Sequence, residues 1–68
     1  MPKARMVLAA LQRDGWLEVR RKGSHRILKK GRRAIVWAFH DGTDLGNEDL
    51  RRIARQAACS LEDLRRIL

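Results

Sequence analysis

Apolar residues in the first part of the chain recur with helical spacing. Between Lys3 and Arg13, Val7, Leu8 and Leu11 stand one, three and four residues apart with Ala4, Met6 and Ala10 beside them, which predicts a helix with one face toward a core. Asp14 and Gly15 end it, because glycine takes the positive φ that a helix end or a tight turn needs. At Trp16 the period changes to two. From Trp16 to Lys22, Leu17 and Val19 alternate with Glu18 and Arg20, the pattern of a half-buried strand. Gly23 and Ser24 interrupt it. His25 to Lys29 predicts a second strand whose buried side is left undecided by the adjacent Ile27 and Leu28, and Lys30-Gly31-Arg32 reads as a hairpin turn. Arg33 to Phe39, apolar from Ala34 onward and rich in β-branched and aromatic types, predicts a third strand covered on at least one face.

After a polar connection from His40 to Gly46, Asn47 is expected to cap a second helix. Its first turn holds Glu48 and Asp49 at the positive end of the dipole, and its apolar stripe is Leu50, Ile53, Ala54 and Ala57. Ser60 and Asp63 have capping-box spacing, and Leu61, Leu64 and Leu68 outline a short third helix. The fold class this order implies is α+β: a three-stranded antiparallel meander covered on one face by the two longer helices, with a short C-terminal helix. A chain of 68 residues has room for a single domain only, here residues 1–68. Trp16 and Trp37 are expected in the core, since only three aromatic residues exist to fill it, and Cys59 reads as a small buried hydrophobe.

Charge changes the picture most. Sixteen Lys and Arg against eight Asp and Glu give a net charge of +8, which points to a polyanionic partner. The excess is local. Arg20, Arg21, Lys22, Arg26, Lys29, Lys30, Arg32 and Arg33 follow one another with no acid between Arg20 and Arg33, whereas six of the eight acids come after His40. A single cysteine cannot close an internal disulfide, and Met1 to Asp14 carries no apolar run of signal-peptide length, so the expected location is the cytoplasm, with no membrane contact.

His25 and His40 are the only side chains of a type that ordinarily changes charge near neutral pH. They fall short of a zinc set even with Cys59, so no metal and no small-molecule cofactor is expected. Ser24 beside His25 lacks a nucleophile-elbow glycine frame and is no sign of a hydrolytic triad. His25 is, however, the one neutral base inside the cationic strip. RNA brings its own nucleophile, the 2′-hydroxyl, which such a base could deprotonate while the cations hold the phosphates. The candidate site is therefore His25 as the catalytic residue, with Arg20, Arg21, Lys22, Gly23, Ser24, Arg26, Lys29, Lys30, Arg32 and Arg33 binding RNA. On these residues alone, a turn whose histidine merely contacts a phosphate or a neighbouring backbone stands as the alternative.

A resemblance spans nearly the whole chain. Met1-Pro2-Lys3 leading into a short amphipathic helix, Asp14-Gly15-Trp16, Gly23-Ser24-His25 after the first strand, His40-Asp41-Gly42-Thr43-Asp44-Leu45, and the arginine-rich helix ending in Gln56-Ala57 together resemble the HicA toxin ribonucleases. The resemblance implies a double-stranded-RNA-binding-domain-like fold, metal-independent cleavage of mRNA with His25 as general acid or base, and a cognate HicB-type antitoxin that covers the site. Three positions depart from the family pattern. Val36-Trp37-Ala38-Phe39-His40 lacks the usual proline at the end of the third strand, Ala58-Cys59 replaces Gly-Leu, and Leu45-Gly46-Asn47 is an uncommon entry to the second helix.

A second reading is a non-catalytic nucleic-acid binder, holding RNA without cleaving it or holding DNA through a helix-turn-helix within residues 48–68. Glu62 and Asp63 would then lead the recognition helix, where phosphate repels them.

Overall fold

The computed structural model describes residues 1–68. The helical stripe becomes α1 (Ala4–Arg13), and β1 (Leu17–Lys22), β2 (His25–Lys30) and β3 (Arg33–Trp37) follow as an antiparallel meander in the order β1-β2-β3, before α2 (Asn47–Ala57) and α3 (Leu61–Ile67). This is the expected α+β arrangement. Both hairpins are closed by two residues, Gly23-Ser24 and Gly31-Arg32, with glycine at φ +62° and +60° in the first position. That is the type II′ geometry, whose twist suits two antiparallel strands.

The core forms on the helix-covered side of the sheet. Val7, Leu8 and Leu11 of α1, Leu28, Ile35 and Trp37 of the sheet, Leu50 and Ile53 of α2 and Leu64 of α3 are buried together with Trp16 and Leu45. Leu28 and Ile35 are direct cross-strand partners, so they share this face, and Leu28 rather than Ile27 is the inward residue of β2. Phe39 packs edge-on against Trp37, with centroids 5.1 Å apart and rings at 77°. Cys59 lies half-buried against the same cluster.

Four expectations need correction. Leu17 and Val19 do alternate with Glu18, but the face they share is the open one, and every residue of β1 is exposed. The cause is that the helices cover only the side carrying Leu28, Ile35 and Trp37, and β1 is held chiefly by its ladder to β2. Second, Glu18 and Arg20 are not on one face, because the pairing slips at Val19: Glu18 stands opposite Leu28 and Arg20 opposite Ile27. This β-bulge reverses the alternation beyond it. Third, Met6 points to solvent from α1, and at the chain end Ile67 takes the half-buried place expected of Leu68. Fourth, Asn47 is the first residue of α2 and Gly46 is its cap. Gly46 has no side chain to accept an amide proton, so only half of a capping box forms, its N–H donating to Asp49 Oδ2 at 3.3 Å. The box at α3 is complete, with the Asp63 N–H donating to Ser60 Oγ at 3.0 Å and the Ser60 N–H to Asp63 Oδ2 at 3.3 Å.

The segment from Ala38 to Gly46 is irregular but tied down. The amides of Ala4 and Arg5, left without helical partners at the start of α1, donate to Thr43 O (2.8 Å) and Asp41 O (3.1 Å), and Leu45 N–H donates to Pro2 O (2.9 Å). Lys3 and Asp44 add an ion pair at 2.8 Å. These bonds fix His40 and Asp41 beside the first hairpin.

Candidate nucleic-acid interface around His25

A strand's side chains alternate between faces, so fixing Leu28 inward fixes all of β2. Arg26 points to the helix side and His25 to the open side, where it is exposed. The bulge at Val19 then places Arg20 and Lys22, cross-strand partners of Ile27 and His25, on the same open face. Together with Ile27 and Val36 they border a shallow pocket of about 210 Å³ around His25. Neither Arg20 nor Lys22 has a carboxylate partner.

On the other side of the turn, Arg21, Gly23, Ser24 and Arg26 border a second pocket of about 290 Å³ with Phe39, His40 and Asp41. Arg21 Nε donates to Gly23 O at 3.2 Å and braces the turn. The Arg26 guanidinium is bound to Glu18 at 2.8 Å and approaches Asp41 at 3.6 Å; its side chain is only 12% exposed and its Nε has no partner. Arg26 thus fastens β1 and the post-β3 loop to β2, and the two pockets meet at it.

The remaining candidates are elsewhere. Lys29 is on the open face but four residues along β2 from His25, about 13 Å at the rise of a strand. Lys30, Arg32 and Arg33 are at the far end of the sheet, on the rim of the largest cleft, about 650 Å³, whose floor includes Leu11, Trp16 and Leu64. Lys30 is there ion-paired with Asp14 at 3.2 Å. The cationic strip is therefore divided by the fold into a group around His25 and a group around the second hairpin. His40 was no part of the nominated site. The signal for it was the meander itself, which returns the end of β3 to the start of β2.

Three groups are shifted. Asp44 is held below the usual carboxylate range by a hydrogen bond and the charge of Lys3, and Asp63 likewise by the Ser60 hydroxyl and backbone. Burial pushes the Cys59 thiol up, with Asp63 and Asp14 adding to it. No three His, Cys, Asp or Glu side chains converge anywhere in the fold, and no helix is long and apolar enough to cross a membrane.

The sequence profile described as the HicA toxin of bacterial toxin-antitoxin matches residues 4–58, which take in α1, the whole sheet, both histidines and α2. The chain belongs to the HicA toxin family. Membership carries with it a toxin role and a cognate antitoxin partner. Comparison with curated proteins finds no match. In this HicA toxin α3 lies outside the matched residues, and it forms one wall of the 650 Å³ cleft. The α2–α3 pair has helix-turn-helix order, but Asp63 is engaged by Ser60 and by Arg66 at 3.2 Å, and Glu62 beside it is exposed, so the leading edge of α3 offers acids to a phosphate backbone.

Proposed function

We propose that this HicA toxin is a metal-independent endoribonuclease that cleaves mRNA at a site centred on His25. The observation that carries the reading is the placement of His25: exposed on the open face of the sheet, next to the hairpin end, with the unpaired cations Arg20 and Lys22 on the same face. A polymer backbone can reach it without any opening of the fold.

In this reading neutral His25 removes the proton of a 2′-hydroxyl. The freed oxygen attacks the adjacent phosphorus, the bond to the 5′-oxygen breaks, and that oxygen leaves with a proton from a protonated donor or from water. Arg20 and Lys22 stabilise the charge that builds on the phosphoryl oxygens. Lys29 guides the strand along the open face, and the turn of Gly23 and Ser24, braced by Arg21 and anchored through Arg26, holds the geometry. Arg32 and Arg33 supply more distant phosphate contacts, and Lys30 contributes less because Asp14 already neutralises it. The products are a 2′,3′-cyclic phosphate and a 5′-hydroxyl.

The test compares wild type with His25→Ala. Cleavage should fall by roughly 10²- to 10⁴-fold while RNA affinity is nearly kept, because the cations remain. Cleavage should persist in EDTA, and a DNA version of the substrate should resist. Ends bearing 5′-phosphate and 3′-hydroxyl, or full activity of His25→Ala, would overturn the mechanism.

A further inference from the structure

We propose that His40 is the acid of the reaction: in its protonated form it gives the departing 5′-oxygen its proton while His25 takes the proton of the 2′-hydroxyl. The proposal rests on the reading of His25 given above and names the donor which that reading leaves open.

The entering 2′-oxygen and the leaving 5′-oxygen stand roughly in line through phosphorus, so a base serving one and an acid serving the other must approach from opposite sides of the phosphate. A group beside His25 on the open face serves one side only. Lys22, the cross-strand partner of His25, comes from the base's own side. The chain holds no tyrosine, and Cys59 borders the cleft at the far end of the sheet. Glu18 and Asp41, the carboxylates of this end, are both engaged by the Arg26 guanidinium, at 2.8 and 3.6 Å. His40 remains, and it is the only other side chain of a type that ordinarily changes charge near neutral pH.

Its position fits the task. Trp37, the last residue of β3, is the cross-strand partner of Arg26, so the chain leaves β3 alongside the turn that precedes His25. Exposed His40 then borders the 290 Å³ pocket with Gly23 and Ser24, while His25 borders the 210 Å³ pocket on the other side of that turn, and Arg26 is common to both. A phosphate seated over Gly23-Ser24 has one imidazole on each side. The charged groups that share the pocket with His40 are Arg21 from β1, Arg26 from β2 and Asp41 from its own loop. That loop is fixed more firmly than a connection between β3 and α2 requires. Thr43 N–H closes a turn by donating to His40 O at 3.0 Å, the carbonyls of Asp41 and Thr43 accept the first amides of α1, Asp44 is paired with Lys3, and Asp41 with Arg26. An exposed side chain on a loop tied at so many points is placed before substrate arrives, which is what proton transfer to one particular atom demands.

The test uses the full chain and an oligoribonucleotide that the wild-type protein cuts, made once with its ordinary scissile linkage and once with sulfur in place of the leaving 5′-oxygen. A thiolate leaves without needing a proton, so the sulfur substrate bypasses the acid and leaves the base at work. His40→Ala should cut the oxygen substrate roughly 10²-fold or more slowly and the sulfur substrate at close to the wild-type rate. It should also lose the fall in rate on the alkaline side of the pH profile, which reports loss of the acid's proton. His25→Ala should be slow on both substrates. Thermal melting accompanies each variant, and should His40→Ala melt early, His40→Gln, which keeps a polar side chain of similar reach but has no proton to transfer, supplies the same comparison. An equal loss on the two substrates would make His40 a residue that binds or positions, and no loss on the oxygen substrate would give the proton to water. Either result overturns the proposal and leaves the reading of His25 standing, whereas His25→Ala at the full wild-type rate would sink that reading and the proposal with it.

Discussion

Replacing Ala58 by glycine should stabilise this protein, although it removes a side chain and adds no contact. Ala58 ends α2 at φ 56° and ψ 41°, the one non-glycine residue with positive φ. The Cys59 N–H reaches back to Ala54 O at 3.0 Å and the Ala58 N–H to Arg55 O at 3.1 Å, the paired bonds of a Schellman motif, so the left-handed conformation is required. An L-residue held there costs roughly 1–2 kcal/mol. Glycine removes that cost but brings more freedom to the unfolded chain, worth roughly 0.5–1 kcal/mol in the other direction. Ala58 is exposed, so its methyl contributes no packing to lose. The net gain is about 0.5–1 kcal/mol, which for a domain of this size raises Tm by roughly 2–8 °C. The assay is thermal and urea unfolding followed by circular dichroism, with Ala57→Gly as the internal contrast. Ala57 is helical and half-buried, so the same substitution one residue earlier should destabilise by about 1 kcal/mol or more. Equal signs at the two positions, or an Ala58→Gly protein no more stable than wild type, would refute the assignment of strain to Ala58.

Lys29→Glu should weaken RNA binding and lower its salt slope by about 1 or more, whereas Lys30→Glu should do less to RNA because Lys30 is already paired with Asp14; equal losses in filter binding across a salt series would remove the distinction. Asp44 and Asp63 have depressed folded values, so the stability they contribute is present above their unfolded value of about 3.9 and is lost as pH falls through the lower folded ones. Asp63→Asn should therefore flatten the acid limb of a melting-against-pH curve below about pH 4. The Cys59 thiol, raised by burial, should react with iodoacetamide more slowly than a free thiol at pH 8, and unfolding in urea should abolish the difference.

Element order was readable because it depends on local patterns: the α1 stripe, the two glycine turns, and the Ser60/Asp63 spacing each act within a few residues. The buried identity of Trp16 and Trp37 was also readable, since a small core has few large residues to use. What could not be read was which side of a two-faced strand finds a partner. Leu17 and Val19 satisfy the rule for a buried face, and only the position of the helices shows that they lie on the open one. The strip from Arg20 to Arg33 looked continuous because sequence distance ignores the hairpin, which sends Arg21 and Arg32 to opposite ends of the sheet. Arg26 was nominated for RNA, and its ion pair with Glu18 was invisible because eight residues separate them along the chain.

The exposure of His25 follows from packing three residues away. Leu28 is fully buried against Ile35, and in a strand of period two its inward position forces Ile27 and His25 outward and Arg26 inward. A slip of one residue in β2 would reverse every one of these. His25 would enter the core, and Arg26 would leave Glu18 and Asp41. The second half of β1 depends on the bulge in the same way. Were Val19 paired regularly with Ile27 instead of bulged, Arg20 would stand opposite Arg26 and Arg21 opposite His25, which removes Arg20 and Lys22 from the histidine's face. Two features that carry no chemistry, a buried leucine and a one-residue bulge, thus decide which cations surround the candidate base. Deleting Val19 should spare both His25 and its cations, because Glu18 and Arg20 then become consecutive opposite Leu28 and Ile27, and Arg20 and Lys22 keep the histidine's face. Cleavage should then be kept with the fold, whereas Arg20→Ala combined with Lys22→Ala should lower it, and a double variant as active as wild type would show that Arg20 and Lys22 are dispensable.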